Sequence, residues 1–514
     1  MRNFKNKSSV VLLLALTTLT ACHSETEKPL TQTPAVKDTT TSAQWFKQGK
    51  QRAQNAAPAA NTQAAKNLIL IVGDGMGITT HTAARIYAGQ QQELLGEEYT
   101  LSFETLPYSA LIKTYNTDQQ TPDSAGTMSA LITGEKTRAG VLSVNHTAKR
   151  GDCQSSTDQH LKTLFDLAES QNKATGIVTT ARVTHATPAA LYAHSPERGW
   201  ESDNKLSAEA KQNGCLDIAQ QLINHQQGEQ RLEVIFGGGQ RHFLPASEPS
   251  GKRTDQQNLT TQWQSLPDHY LISSKQQLRD ADLTHGHWLG LFANSHLPYV
   301  DQRDEQTPGL LDMTQAALTR LQQNPDGYVL MIESGRIDHG HHAGSGYQAL
   351  RETQELDQTV AWLLKQIDLD NTLLIVTADH SHTLTLAGYP TRGNPMLGVV
   401  FSNNDQGRPE EKPYRLPDGG YYTSMNYRNG PGAVEWQALP QSAPSKRPSV
   451  DPQQALQPGY LQQALVPLES ETHGGEDVAL YAAGPSAHLF GGTMEQHWVY
   501  HVMRHALLAE ESKP

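Results

Sequence analysis

The sequence predicts an α/β fold in which a large, mostly parallel central sheet is covered by helices on both faces. Four short apolar runs rich in β-branched residues, at residues 68–72, 176–178, 328–332 and 372–376, are each bounded by turn residues. Longer stretches compatible with helices separate them, which is typical of a parallel sheet buried on both faces. The chain has 514 residues, 37% of them hydrophobic and 18% charged, and is long enough to bury such a core.

The residues that follow these runs are of types that bind metal ions or act as catalytic acids and bases. In chain order they are Asp74, His185 with Thr187, Glu333 with Asp338 and His342, and Asp379 with His380. Ligands of such sheets bind beyond the carboxyl ends of the strands. Because these residues all follow the carboxyl ends of the four predicted strands, we expect them to lie together in one site. A single acidic residue after a strand is usually a helix N-cap, but four such cases together favour a functional site.

The third run is followed by a pair of residues at metal-ligand spacing. Asp338 and His342 lie four residues apart, so on a helix they share one face and can bind one metal ion. The local sequence His339-Gly340-His341-His342 is also compatible with a compositional His tract. Spacing alone therefore leaves open which of these histidines is a ligand.

The remaining candidates form two different donor sets. Asp379 and His380 offer a carboxylate and an imidazole from adjacent residues at a strand end. Mixed carboxylate and imidazole ligands favour zinc over magnesium or calcium. The oxygen donors Asp74, Thr187 and Glu333 instead suit a hard ion such as magnesium.

The segment at residues 121–130 supplies the candidate nucleophile. Pro122 and Asp123 are followed by small residues and an apolar, helix-forming run, which predicts that Ser124 begins a helix. At that position the helix dipole and the free N–H groups favour an alkoxide or an anionic substrate. A plain N-cap serine is the alternative, because no Gly-x-Ser-x-Gly motif surrounds Ser124 and a serine needs a base or a metal to ionise it.

The N-terminus predicts export. A basic segment containing Arg2 precedes an apolar stretch at residues 10–19, which is too short to span a bilayer and is typical of a signal peptide. It ends in Leu-Thr-Ala-Cys, which resembles the lipobox of bacterial lipoproteins and predicts a lipoprotein signal peptide over residues 1–21 with a lipid on Cys22. Ordinary secretion with cleavage near Ala21 is the alternative. We expect the protein in the periplasm or cell envelope, anchored to the membrane through Cys22.

Composition bears on three further features: the segment after the signal peptide, the class of binding partner, and the state of the two remaining cysteines. Residues 22–65 are rich in Thr, Gln, Ala, Ser and Pro without apolar periodicity, which predicts a flexible tether. With 41 Lys and Arg against 53 Asp and Glu, the net charge of −12 argues against a nucleic-acid-binding surface, although bound metal can still attract an anionic substrate. Once Cys22 carries lipid, Cys153 and Cys215 are the remaining thiols, and an oxidising compartment favours a disulfide over two buried free thiols.

Five motifs together resemble the alkaline phosphatase family, and the animal-type branch more than the enterobacterial one. They are Val-Gly-Asp-Gly-Met-Gly at 72–77, Asp-Ser-Ala-Gly-Thr at 123–127, Glu-Ser-Gly-Arg-Ile-Asp-His-Gly-His-His at 333–342, Thr-Ala-Asp-His-Ser-His at 377–382 and Glu-Thr-His-Gly-Gly-Glu-Asp at 471–477. The resemblance implies an alkaline phosphatase-like fold over residues 66–510. It also implies that residues 403–466, approximately, form the family's variable crown insertion near the interface of a homodimer.

The same resemblance implies an activity. This is the metal-dependent hydrolysis of phosphate monoesters to an alcohol and inorganic phosphate, with a broad range of leaving groups, through a phosphoserine on Ser124. Arg198 would grip the substrate phosphate, and Asp123 would orient that arginine. The alternatives are a phosphodiesterase or sulfatase of the same superfamily and a non-catalytic phosphate-binding lipoprotein, which the intact set of motif residues disfavours.

The resemblance further implies two Zn²⁺ and one Mg²⁺ per subunit. One zinc would be held by Asp338, His342 and His473, the second by Asp74, Asp379 and His380, and the magnesium by Asp74, Thr187 and Glu333. His185, His339 and His382 would lie around these ligands and tune the metal sites. Cys153 and Cys215 fall where animal-type members have a disulfide, which supports the same pairing.

Overall fold

The protein is described by a computed structural model over residues 41–54, 60–227, 231–433 and 450–508. The predicted signal peptide and Cys22 lie outside these residues. The strands are β1 (Asn67–Gly73), β2 (Tyr108–Lys113), β3 (Ala174–Arg182), β4 (Val234–Gly238), β5 (His269–Ile272), β6 (His287–Leu291), β7 (Tyr328–Ser334), β8 (Thr372–Ala378), β9 (Ser381–His382), β10 (Leu384–Leu386), β11 (Met425–Gly430), β12 (Ala464–Pro467), β13 (His473–Gly474), β14 (Val478–Ala483) and β15 (Thr493–Glu495).

Helices and a few short 3₁₀ turns connect these strands. The helices are α1 (Ser42–Gln54), α2 (Ile78–Gln90), α3 (Ser124–Thr133), α4 (Leu164–Glu169), α5 (Ala186–Ala189), α6 (Ala208–Gln212), α7 (Ile218–Gln227), α8 (Leu259–Gln264), α9 (Lys275–Asp280), α10 (Leu310–Leu321), α11 (Arg336–His342), α12 (Gly346–Leu363) and α13 (Gln496–Leu508). None of the helices in the described ranges is long and apolar enough to cross a membrane.

Ten strands form one twisted central sheet in the order β15-β2-β14-β8-β1-β7-β3-β4-β6-β5. Nine of them run in the same direction, and β14 alone is antiparallel to its neighbours β8 and β2. Helices flank the sheet. The prediction of a large, mostly parallel sheet is therefore confirmed.

The four apolar runs singled out in the sequence are adjacent strands at the centre of this sheet. β1 lies between β7 and β8, and β3 lies on the other side of β7. Ile71 of β1 pairs with Ile332 on one side and with Val376 on the other, and all three are fully buried. Because these strands are parallel and in register, their carboxyl ends meet at one edge of the sheet, as predicted.

Parts of the segment at residues 403–466 have a core of their own. β11 pairs with β10 and with β12 in a three-stranded sheet that is separate from the central one. Nearby, a small cluster of buried side chains contains Phe401 and Val450. This part of the chain is thus a subsidiary layer beside the main domain.

Two further expectations concern the disulfide and the segment that precedes the main domain. The predicted disulfide between Cys153 and Cys215 is present. Within residues 22–65, which are expected to form a flexible tether, Ser42–Gln54 form the helix α1, whose Gln, Lys and Ala residues favour helix. The indole of Trp45 in this helix lies 5.6 Å from the guanidinium of Arg392.

Candidate active site

Ser124 is the first residue of α3, and Asp123 is its N-cap, with a side chain that accepts a hydrogen bond from the backbone N–H of Gly126. The Ser124 hydroxyl is buried, 3.1 Å from Nε2 of His380 and 3.4 Å from Oδ1 of Asp74. The prediction that Ser124 begins a helix is confirmed. Its neighbours come from the ends of β8 and β1, so the central sheet brings the candidate nucleophile to the candidate metal ligands.

A first group of metal-ligand atoms comprises Asp338, His342, His382 and His473, with the four atoms within 4.8 Å of one another. Oδ1 of Asp338 lies 3.3 Å from Nε2 of His342 and 3.4 Å from Nε2 of His473. Asp338 and His342 share one face of α11, as their spacing predicted. His473 comes from β13, which pairs with β9 and so lies beside the end of β8.

His382 lies inside this group rather than around it. Its Nε2 is 2.8 Å from Oδ1 of Asp338, and its Nδ1 is 2.6 Å from Oε2 of Glu471. Although burial opposes the charged imidazole, the carboxylates of Glu471 and Asp338 raise the pKa of His382 to about 10. Both ring nitrogens therefore donate hydrogen bonds, and His382 supports Asp338 instead of offering a free lone pair to a metal.

A second group consists of Asp74, Asp379 and His380, all fully buried. Nε2 of His380 lies 3.3 Å from Oδ1 of Asp74 and 3.6 Å from Oδ2 of Asp379. Burial and the nearby Asp74 carboxylate raise the pKa of Asp379 to about 6. Two carboxylates and an imidazole packed this closely away from water suit a divalent cation, which would neutralise them.

A third group consists of Asp74, Glu333 and His185. Among the described residues, Oδ2 of Asp74, Oε1 of Glu333 and Oγ1 of Thr187 are buried without a hydrogen-bond partner. Burial raises the pKa of Glu333 to about 7. Unpartnered buried oxygens of this kind fit a hard cation, as expected for this donor set. His185, which was expected outside the ligand shell, has a ring nitrogen within the same group.

The Arg198 guanidinium is held beside Ser124 by Asp123. Nη1 of Arg198 donates to Oδ2 of Asp123 at 3.0 Å, and Nη2 lies 3.2 Å from Nε2 of His185. Oδ1 of Asp123 also accepts from the Nδ2 of Asn116 at 3.1 Å. Although burial opposes ionisation, Arg198 lowers the pKa of Asp123, so the carboxylate stays charged and orients the guanidinium.

The structure assigns different roles to His339, His341 and His342, which spacing alone left open. His342 belongs to the first metal group. His341 is buried and bonds to Oγ1 of Thr80 at 3.0 Å and to the Tyr427 hydroxyl at 2.7 Å, so it is a packing residue. His339 belongs to none of the three groups and packs against His296 in a tilted contact, with ring centroids 4.0 Å apart.

Sequence reasoning missed three supporting residues. Glu471 stands in the quoted motif at 471–477, where its spacing of two residues from His473 was a usable signal. Asn116 lies seven residues before Asp123, in a segment without a motif. His296 is isolated in the sequence, and only the tertiary structure brings it to His339 and His185.

The family model described as alkaline phosphatase matches residues 65–509 of this chain. The chain belongs to the alkaline phosphatase family. It is 40% identical to the tissue-nonspecific alkaline phosphatase isozyme of Gallus gallus over 462 residues, which cover 87% of this chain and 85% of that protein. It is also 40% identical to an alkaline phosphatase of Gadus morhua over 461 residues, covering 87% of this chain and 92% of that protein.

A solved alkaline phosphatase structure agrees with this membership. The enzyme of Thermus thermophilus superposes with a TM-score of 0.61 at 26% identity, covering 90% of this chain and 96% of that one. The family resemblance stated from the motifs is thus confirmed, and so is the alkaline phosphatase-like fold. The three groups of candidate ligands fit the metal-dependent hydrolysis of phosphate monoesters.

Proposed function

We propose that this alkaline phosphatase family member hydrolyses phosphate monoesters to an alcohol and inorganic phosphate through a phosphoserine on Ser124. The observation that carries the proposal is the Ser124 hydroxyl at the start of α3, within 3.1 Å of His380 and 3.4 Å of Asp74. The rings of His380 and His473 stack with centroids 3.7 Å apart, so the first and second ligand groups adjoin the same hydroxyl.

We propose two Zn²⁺ and one Mg²⁺ per subunit. Asp338, His342 and His473 would hold one zinc, Asp74, Asp379 and His380 the second, and Asp74, Thr187 and Glu333 the magnesium. Buried unpartnered oxygens in the third group and mixed carboxylate and imidazole donors in the other two support this assignment. When bound, these ions lower the pKa of nearby hydroxyl groups and neutralise charge on the phosphoryl oxygens.

The side chains then carry out two displacements. Arg198, fixed by Asp123, holds two nonbridging oxygens of the ester in a bidentate contact. The Ser124 oxygen attacks phosphorus and the bond from phosphorus to the ester oxygen breaks. The proton lost by the Ser124 hydroxyl is balanced by the proton that the departing alcohol takes up, and the helix dipole of α3 favours the negative charge on the Ser124 oxygen. A water oxygen then attacks phosphorus, the bond from phosphorus to the Ser124 oxygen breaks, and one water proton restores the Ser124 hydroxyl as inorganic phosphate leaves. Each displacement inverts phosphorus, so the two together retain its configuration.

The test is hydrolysis of a chromogenic phosphate monoester by the mature protein with and without a chelator. Ser124→Ala lowers turnover on the order of 10³-fold or more, whereas Ser170→Ala, at an exposed position after α4, is the matched control. Undiminished activity after chelation, or in Ser124→Ala, would overturn the mechanism. Turnover of a monoester, a diester and a sulfate ester side by side separates this function from a phosphodiesterase or sulfatase. Inversion with a chiral phosphate ester would exclude the phosphoserine route.

We further propose that the protein is a homodimer. The support is a row of exposed apolar side chains, Leu465, Val466 and Leu468, along and just beyond β12, at the edge of the three-stranded sheet. Such an edge is a ready pairing surface. Light scattering of the native chain tests the proposal, and Leu465→Lys is expected to yield monomers. A monomeric native chain would contradict it.

We also propose that the protein is exported to the periplasm or cell envelope and anchored by a lipid on Cys22. The support is the lipobox-like Leu-Thr-Ala-Cys ending at Cys22. Metabolic labelling with a radioactive fatty acid tests the anchor, and Cys22→Ser is expected to release the protein into the soluble fraction. An unlabelled wild-type chain would argue for ordinary secretion.

A further inference from the structure

The Arg336 guanidinium is a half-buried cation without a hydrogen-bonded anionic partner among the described residues. Arg336 is the first residue of α11, two positions before Asp338. Its guanidinium carbon lies 3.8 Å from the centroid of the Tyr299 ring. In the parts of the chain that the structure describes, its Nε is sealed from solvent without a hydrogen-bond partner, and the carboxylates of Glu352 and Asp338 attract it without a hydrogen bond to it. A buried cation without a hydrogen-bonded partner destabilises the fold, so its presence indicates that the guanidinium has another role.

The neighbouring carboxylates are already engaged. Glu352 on α12 accepts from the backbone N–H of Val300 at 2.8 Å and lies 3.4 Å from the guanidinium of Arg303. Asp338, which also attracts the Arg336 guanidinium, accepts from Nε2 of His382 at 2.8 Å. A second guanidinium, that of Arg182, is paired with Glu201 through two hydrogen bonds of 2.7 Å. Arg182 is thus neutralised, whereas Arg336 retains its charge and the Tyr299 ring holds its planar fork in one orientation.

Imidazole rings connect Arg336 to the proposed phosphoryl site. His339 lies one helical turn after Arg336 on α11, and its ring centroid is 5.7 Å from that of His185. Nε2 of His185 lies 3.2 Å from Nη2 of Arg198. Because a guanidinium only donates, this nitrogen of His185 accepts and Nδ1 carries the proton. His296 is fixed in the same way by Arg182. His185 and His296 therefore each carry a proton on Nδ1, and the guanidinium groups of Arg198 and Arg336 supply positive charge at the two ends of this row.

We propose that Arg336, held flat on Tyr299, forms a subsite for a second anionic group, a phosphate or carboxylate separated from the scissile phosphate by a short spacer. This inference rests on the proposed function and narrows its substrate class to esters whose leaving group is itself anionic. A guanidinium fork recognises a phosphate or carboxylate in a bidentate contact. The rings of His339 and His185 lie between Arg336 and Arg198, so a spacer would separate the two anionic groups.

The decisive measurement is the ratio of kcat/KM for fructose 1,6-bisphosphate to kcat/KM for fructose 6-phosphate. Arg336→Gln is expected to lower this ratio by about tenfold at low salt, since one charge-assisted contact is lost. Arg336→Lys keeps the charge without the fork and is expected to restore part of the ratio. Arg415→Gln is the matched control, because Arg415 also stacks on a tyrosine, Tyr421, at 4.7 Å, but lies in the 403–466 segment. An unchanged ratio in Arg336→Gln, or an equal fall in Arg415→Gln, argues against a subsite for the substrate's own anion.

A second experiment tests whether the subsite binds the substrate's own anionic group or free phosphate. Titration calorimetry of the metal-loaded Ser124→Ala protein with inorganic phosphate counts the bound ions. Loss of one phosphate site on adding Arg336→Gln, with an unchanged substrate ratio, assigns the subsite to free phosphate. No effect in either measurement overturns the proposal. If the wild-type protein hydrolyses neither the fructose phosphates nor the chromogenic monoester, the proposed function fails, while the calorimetric count still decides whether Arg336 binds an oxyanion.

Discussion

The hydroxyl of Ser124 lies 3.1 Å from Nε2 of His380, although 256 residues separate the two in sequence. Ser124 begins α3, and His380 follows the last residue of β8 by two positions. The contact therefore exists only because the helix packs beyond the carboxyl end of the central sheet. It places the proposed nucleophile beside the imidazole that stacks on His473.

Replacing Arg198 is expected to weaken phosphate binding. Arg198→Ala removes a charge-assisted bidentate contact and leaves Asp123 without its cation, so kcat/KM for a chromogenic monoester falls by about 10- to 100-fold. Arg198→Lys keeps the charge and loses the fork, so it recovers only part of the loss. Arg279→Ala, at an exposed position on α9, is the control. Equal activity of Arg198→Ala and Arg279→Ala would show that Arg198 does not bind substrate.

Replacing Glu471 is expected to weaken metal binding by the first ligand group without altering a proposed ligand. Glu471 holds His382 at 2.6 Å, and His382 holds Asp338 at 2.8 Å. Glu471→Gln removes the charge that fixes this chain, so zinc affinity falls by about 10- to 100-fold. Competition with a chromogenic chelator measures the affinity. Glu469→Gln, at an exposed position two residues away, is expected to match the wild type. An unaltered affinity in Glu471→Gln would mean that Asp338 needs no such support.

The stability of the metal-free protein is expected to respond to Glu333 in a pH-dependent way. Burial raises the pKa of Glu333 to about 7, whereas an unfolded glutamate titrates near 4.3. Between these values the folded state binds more protons than the unfolded state, so this residue lowers the free energy of unfolding as pH rises.

Glu333→Gln removes that effect. In chelated protein, its melting temperature should therefore gain on that of the wild type by a few degrees between pH 5 and pH 8. Glu333 also raises the pKa of Asp74, so its removal shifts the difference in the same direction, whereas groups that do not interact with Glu333 cancel because both chains contain them. Differential scanning fluorimetry measures it, and a difference that is flat with pH would contradict the raised pKa.

The disulfide between Cys153 and Cys215 is expected to stabilise the fold. It joins residues 62 positions apart, and closing a loop of that length contributes about 4 kcal/mol by restricting the unfolded chain. Urea unfolding of Cys22→Ser, with and without Cys153→Ser and Cys215→Ser, measures the difference without a third thiol. A reductant should lower the midpoint of the first protein and leave that of the second unchanged. Identical midpoints without reductant would show that the bond adds nothing.

Residue types and short spacings in the sequence are sufficient to predict several elements of the fold and part of the candidate site. Runs such as 68–72 and 372–376 are continuous and apolar because their strands are buried on both faces, and this local signal predicted the sheet. The helical period placed Asp338 and His342 on one face without knowledge of any partner. The small residues after Asp123 predicted the start of α3 for the same local reason.

The tertiary structure decided which side chains face one another across long stretches of sequence. His339, His341 and His342 are the same residue type within four positions. Only packing places His342 in the first ligand group, His341 against Tyr427 and His339 against His296. Neither the pairing of Glu471 with His382 nor the unpartnered charge of Arg336 has a local signature, because both depend on strand order and loop packing. Short-range periodicity fixes the elements, whereas long-range contacts, which carry no fixed spacing, assemble the site.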